Sequence, residues 1–455
     1  MRAYLDRSFF QKLFRLAIPV SLQYLLHSSR YIADMFMLGQ IGENPLAAVG
    51  LCTNLHMLFN SVVWGLAAGV GILGAQFFGA KQTKRLAQTV NIGVAASALL
   101  MLPLCLLLFV WPEGVMRIGT DQGEIIALGA RYLRITALLP LGMTIVASVG
   151  AGLNAMGRPH VNFIFTTVAV FSNIFLNWVL IFGNLGAPAL GVDGAALATL
   201  LSMLIEVAFI FAYLAVAKTA IRVTPLRVWR ALDSQAVRHF LRISVPLTIG
   251  GVAWHVGAFV YQAIYGHMGT LELASVSMVQ PMRTIMFAFF WGISTATGVI
   301  MGHHLGAGEF QHAWYRSQVL VAFGVGASLI AVLLVWLGEP LIFSLYGQMT
   351  AETLEAARLV LWAMLLTTPI LAANVVGVVG ILQSGADTRF VLFMDVSCQW
   401  LVGIPFCYLA AFSWHWPIAW VYLAAFGEEF VKLFIWAWRF RSRAWIRRLV
   451  HDVAA

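Results

Sequence analysis

Charge is what this chain has least of. Only 10% of its 455 residues are Asp, Glu, Lys or Arg, where a soluble domain carries about 25%. Such scarcity excludes a soluble enzyme, a disordered chain and a nucleic-acid-binding protein, although the formal charge is +9. Cysteine is almost absent as well. Cys52, Cys105, Cys398 and Cys407 all fall in apolar stretches, which argues against a disulfide framework or a zinc site and for small buried hydrophobes. The opening stretch, Met1 to Gln11, lacks the apolar core and small-residue cleavage site of a signal peptide.

What fills the space is hydrophobic: 61% of the residues. A spanning helix needs about 20 apolar residues, and twelve candidate segments stand out: 12–39, 46–78, 88–111, 125–155, 161–183, 192–217, 240–265, 272–302, 314–337, 357–383, 389–411 and 416–438. Connectors rich in Gly, Pro, Asn and Asp separate them. The longest interruption, Lys218 to Arg242, divides the chain into six-span halves: 1–217, a linker at 218–239, and 240–455 with a basic tail. These features predict an all-α membrane protein.

Charges alternate from one connector to the next. The basic set comprises Arg2, Arg7, Lys12 and Arg15; Lys81, Lys84 and Arg85; Arg158; the linker from Lys218 to Arg242; Arg316; Arg389; and the tail from Arg439 to Arg448. The opposite set holds Glu43, Glu113, Asp121, Glu124, Asp193, Glu272, Glu339, Glu352 and Glu355. Basic loops stay on the cytoplasmic side, so both termini and the linker are expected there. His303-His304 is expected in a solvated cytoplasmic loop.

The halves repeat each other. Adding 227 to Arg15, Pro19, Gly39, Gly42, Trp64-Gly65 and Gly79-Ala80 gives Arg242, Pro246, Gly266, Gly269, Trp291-Gly292 and Gly306-Ala307. With six spans per half, both halves start from the same side, so the repeat is parallel. Such repeats serve alternating access in transporters.

Charged and strongly polar residues inside spans are functional candidates, because a central charge costs about 2.5–3.5 kcal/mol on insertion scales. In the first span Gln23, His27, Arg30 and Asp34 are spaced by 4, 3 and 4 residues and share one helical face. The fifth span adds Asn173 and Asn177. The sixth adds Thr199, Ser202 and Glu206, with Ala195 and Met203 nearby. Arg30 and Asp34, at i and i+4, are also placed to neutralise each other. In the second half the matching face reads Gly250, Trp254, Gly257 and Tyr261, an aromatic surface suited to organic cations. Asp395, Glu428, Glu429 and Lys432 are its charged exceptions, with Arg283 a candidate partner of Glu428 or Glu429. Pro19 and Pro246 can bend the first helix of each half.

At these residues the chain resembles the multidrug and toxic compound extrusion (MATE) family, from about Phe14 to Arg439. The resemblance is carried by Ile18-Pro19 with Ala33-Asp34-Met35-Phe36-Met37-Leu38-Gly39, by Leu46-Ala47-Ala48-Val49-Gly50 and by Ala75-Gln76-Phe77-Phe78-Gly79-Ala80. It continues in Asn154-Ala155-Met156-Gly157-Arg158-Pro159, Asn173 to Gly183, and Gly194 to Thr199. The resemblance implies a V-shaped pair of six-helix lobes in the inner membrane. It implies a monomer, needing no cofactor, that exports cationic or amphipathic drugs, driven by an inward H⁺ or Na⁺ gradient. It implies an ion site at Asp34 with Asn173, Asn177, Ala195 and Thr199. Gln23, His27, Arg30, Asn154, Met203, Glu206, Trp254 and Tyr261 are expected to line the substrate pocket.

Two departures stand out: Asn177, where some members carry Asp, and Arg30 beside the Asp. Trp254 and Ala372 occupy places where the sodium-coupled branch often has carboxylates, which favours H⁺. Asn and Thr oxygens beside one carboxylate remain able to hold Na⁺. The alternatives are a flippase for a lipid-linked sugar, which would need more basic residues facing the cavity, and a membrane enzyme, for which no nucleotide loop or zinc spacing is present.

Overall fold

The computed structural model describes residues 7–217, 219–344, 346 and 349–450. Arg2 and Lys218, counted above among the cytoplasmic charges, lie outside them. Each of the twelve predicted segments is a long helix: α1 (Arg7–Gly39), α2 (Glu43–Gly79), α3 (Thr83–Val110), α4 (Gly123–Ala155), α5 (Pro159–Phe182), α6 (Val192–Val216), α7 (Ser234–Met268), α8 (Thr270–Ala307), α9 (Phe310–Ser344), α10 (Ala351–Gly385), α11 (Thr388–Ser413) and α12 (418–441). No strand occurs among the described residues. Ten of the helices are long and apolar enough to cross a membrane by length and composition. The other two are the polar ones: α1 carries Gln23, His27, Arg30 and Asp34, while α12 is broken at Phe426 and carries Glu428, Glu429 and Lys432.

Left-handed glycines end the repeat's first helices at matching places. Gly42 before α2 has φ +138° and Gly269 before α8 has φ +157°, values a side chain with Cβ rarely adopts. The offset between them is the 227 of the sequence repeat, so the duplication extends to backbone conformation.

Two compact units result, but each exchanges the opening stretch of its half. One unit runs from Leu22 to Thr248, and the other gathers the chain up to Ser21 with that from Ile249 onward. The sequence division at 217 and 240 follows chain order; the compact units divide just after Pro19 and Pro246. Close approaches within each unit explain the exchange. A Cβ on Gly65 would lie 2.5 Å from the Thr248 Cα, and one on Gly292 would lie 1.9 Å from Ser21 Oγ. Gly65 and Gly292 are repeat partners, and so are Ser21 and Thr248. Both contacts therefore obey the same internal symmetry.

Within the first unit α5 packs along α6, and α2 packs against α3 and α4. Its core includes Leu38, Cys52, Val63, Leu108, Leu133 and Ala196. All four cysteines are free and buried, as expected of small hydrophobes. In the second unit α10 passes into a π-helical stretch at Val375–Leu382, and α11 contains two more, Cys398–Gly403 and Leu409–Ser413. Such widened turns often mark functional positions.

Candidate functional site

The first unit brings one face each of α1, α5 and α6 together. Asn177, fully buried, donates its amide to Asp34 Oδ1 at 2.5 Å and lies 3.4 Å from Asn173 Oδ1. Asn173 in turn donates to Thr199 Oγ1 at 3.5 Å. Asp34 is half-buried, and the buried Ala195 is one turn from Thr199 on α6. Asp34, Asn177, Asn173 and Thr199 thus form one hydrogen-bonded chain across three helices. Asn177 keeps a buried Oδ1 without a hydrogen-bond partner.

A second layer lies toward the start of α1 and α5. Gln23 donates to Thr166 Oγ1 at 3.0 Å and accepts from Asn162 at 3.3 Å. Between the layers, Arg30 donates to Ser202 Oγ at 3.3 Å. Among the described residues it makes no ion pair with Asp34, so the neutralising pair allowed by their spacing is not formed. Its guanidinium is taken up instead by Ser202, across on α6. Glu206 is 3% exposed and its Oε1 has no hydrogen-bond partner. His27 likewise has a buried, unpartnered Nε2. Asn162, Thr166 and the Arg30–Ser202 contact are the additions that sequence reasoning missed; neutral partners on another helix leave no charge signal.

Two expected pocket residues stand outside these hydrogen bonds. Met203 packs into Gly142 of α4, where a Cβ would lie 1.8 Å from its sulfur. Asn154 ends α4, its carbonyl accepting from Gly157 N, and no hydrogen bond links it to the Asp34 chain.

The second unit holds a separate polar network. Lys432 reaches Glu429 at 2.8 Å and Asp395 at 3.4 Å. Asn374, where the π-helical stretch of α10 begins, donates to Glu429 Oε2 at 2.6 Å and accepts from Trp436 at 2.7 Å. Tyr261 donates to Glu428 Oε2 at 2.8 Å. Gly403 makes that meeting possible, since a Cβ there would lie 2.1 Å from the phenol oxygen. Trp254 is partly exposed, and its carbonyl accepts from Gln399 at 3.3 Å. Arg283 does not join the carboxylates: its guanidinium lies over Phe287, 5.3 Å from the ring centroid, and Lys432 takes the expected role.

His303 and His304 are not in a solvated loop either. They belong to the C-terminal end of α8, where Lys12 reaches His303 Nδ1 at 3.2 Å. Arg316 donates to His304 Nε2 at 2.8 Å, which leaves Nδ1–H to donate to Glu309 at 2.7 Å. That bond holds the Glu309 carboxyl below its usual range.

A duplicated twelve-helix bundle with buried polar clusters defines an integral membrane transporter. The MatE family model matches residues 19–179 and 246–409, two stretches whose starts, Pro19 and Pro246, are repeat partners; the chain belongs to this family of multidrug-extrusion transporters, which are not enzymes. It is 28% identical over 450 residues to a probable multidrug resistance protein, NorM, of Bradyrhizobium diazoefficiens, covering 97% of this chain and 94% of that one. It is 22% identical to YisQ, a Bacillus subtilis transporter, over 97% of this chain and 96% of the relative. A crystal structure of a MATE protein in complex with MaL6 superposes with TM-score 0.85 at 18% identity, covering 95% of both chains. At that identity the likeness shows the fold.

Proposed function

We propose that the protein is an H⁺-coupled antiporter that exports organic cations or amphipathic drugs by alternating access, with Asp34 as the residue that takes and releases the proton. The hydrogen-bonded chain from Asp34 through Asn177 and Asn173 to Thr199 carries this reading. It gives one half-buried carboxylate a set of neutral partners able to follow a change in its charge. Ionised Asp34 favours a cationic substrate, and protonation from the outside releases it. The driving force is about 2.3 kcal/mol per charge per 100 mV, with about 1.36 kcal/mol per pH unit for a proton. The alternating basic and acidic connectors support cytoplasmic termini and residence in a cytoplasmic membrane, and the protein acts as a monomer.

Sodium is the second reading. The unpartnered Asn177 Oδ1 supports it, as an oxygen beside Asp34 and Thr199 that a hard cation can use.

Efflux of a fluorescent organic cation from proteoliposomes, driven separately by pH and sodium gradients, tests both. Asp34→Asn should abolish proton-driven efflux while leaving a folded, monodisperse protein. Full efflux by the mutant sinks the reading. Efflux driven by sodium alone keeps the site and changes the ion.

A further inference from the structure

The charge inventory of the first unit does not balance around Asp34 alone. Arg30 and Asp34 lie on one face of α1, so an ionised Asp34 is offset by a fixed guanidinium. A carboxylate cancelled in this way is a poor attractor for an incoming cation. The second acid changes the count. Glu206 faces Arg30 from α6, with Thr166 of α5 beside its carboxyl. It is 3% exposed, its Oε1 has no hydrogen-bond partner, and among the described residues no ion pair satisfies it. Arg30 rests on a neutral group, Ser202, between the two acids and bonded to neither. His27 of α1 and Tyr132 of α4 also interact with this group; at pH 7 a phenol is neutral and an imidazole of ordinary pKa is mostly so.

We infer that Glu206 is a second functional carboxylate of the transport site, and that Arg30 is a counter-ion shared between Glu206 and Asp34. With both acids ionised, the three groups carry one net negative charge. In a membrane interior that imbalance is costly, and a single monovalent cation relieves it. The proton is one such cation, bound at a carboxylate oxygen; the charged nitrogen of an organic substrate is the other. Arg30 pairs with whichever carboxylate the cation leaves ionised. Glu206 therefore supplies the negative charge that Arg30 would otherwise cancel. This inference rests on the Asp34 reading and goes beyond it by making that site a two-acid, one-base unit.

The charge count yields a test that simple loss of activity does not. Glu206→Gln leaves the unit neutral and should lower proton-driven efflux of a fluorescent organic cation at least tenfold. Arg30→Gln in the same chain restores one net negative charge, carried by Asp34, and should recover most of the efflux. Glu206→Asp keeps the charge and should retain most of the activity. Each variant is reconstituted from the monodisperse fraction on size-exclusion chromatography. Wild-type efflux by Glu206→Gln overturns the inference, as does failure of the folded double variant to recover activity. Should Glu206→Gln not fold, loss of efflux in folded Glu206→Asp overturns it instead. Asp34→Asn, measured in parallel, separates the two readings. If it abolishes efflux while Glu206→Gln does not, the Asp34 reading stands and the inference falls. If it leaves efflux intact, the Asp34 reading itself fails.

Discussion

Gly292 lies against Ser21 so closely that a Cβ on the glycine would come within 1.9 Å of the serine hydroxyl and 2.8 Å of the Ala17 carbonyl. Its repeat partner, Gly65, meets Thr248 in the same way at 2.5 Å. These two crossings join the opening stretch of each half to the unit formed largely by the other half. They follow Pro19 and Pro246, which lie well inside their helices and each remove one backbone hydrogen bond.

Gly292→Ala should therefore destabilise the protein by about 1–3 kcal/mol, the usual cost of overpacking. The obstruction includes backbone, which moves less readily than a side chain. The thermal midpoint of the detergent-solubilised protein checks this. Ser21→Ala removes the nearer obstruction, so Gly292→Ala should cost less in that background. An unchanged midpoint for Gly292→Ala would show that α1 and α8 separate freely there.

Lys432 stands between Glu429 and Asp395 with only 8% of its side chain exposed. Replacing it by Met leaves two acids facing each other without a cation. Breaking a buried pair by removing one partner costs about 3–5 kcal/mol, and the thermal midpoint should fall accordingly. Lys432→Met with Glu429→Gln removes a charge of each sign and should recover a large part of the loss. Equal midpoints for the single and double variants would refute the charge argument.

Glu309 provides a pH-dependent contact outside the spans. The His304 ring donates to its carboxylate, so its pKa lies below the ordinary 4.5. A depressed carboxyl stabilises the fold above its unfolded pKa, and the contribution is lost as pH falls through the folded value. Half the Glu309 side chain is exposed, so the contribution is at most about 0.5 kcal/mol. Glu309→Gln should lower the thermal midpoint slightly at pH 7 and match the parent protein once the pH has fallen below the depressed folded pKa, where the carboxyl's charge is lost. A midpoint difference that widens on acidification would reverse the sign of the argument.

Composition and periodicity determined the spans, the duplication and the polar face of α1. Long apolar segments can satisfy their backbone within a membrane only as helices or closed barrels, and the runs are of helical length. A spacing of three and four residues places Gln23, His27, Arg30 and Asp34 together whatever surrounds them. Polar residues inside apolar spans also picked out Asn173, Asn177 and Thr199, the resemblance grouped them with Asp34, and the structure gathers them into one hydrogen-bonded chain.

Tertiary packing decided which groups meet. Sequence spacing permitted an Arg30–Asp34 pair, yet Arg30 donates to Ser202 on a neighbouring helix. Arg283 was a plausible partner for Glu428 or Glu429, but Lys432, one turn from Glu429 on α12, lies closer to hand. The exchange of helix openings at Ser21 and Thr248 was equally hidden. Periodicity reports which residues share one helix face. The register between helices, on which every contact across them depends, is set by close approaches such as Gly65 on Thr248 and Gly142 on Met203, and these exist only once the chain has packed.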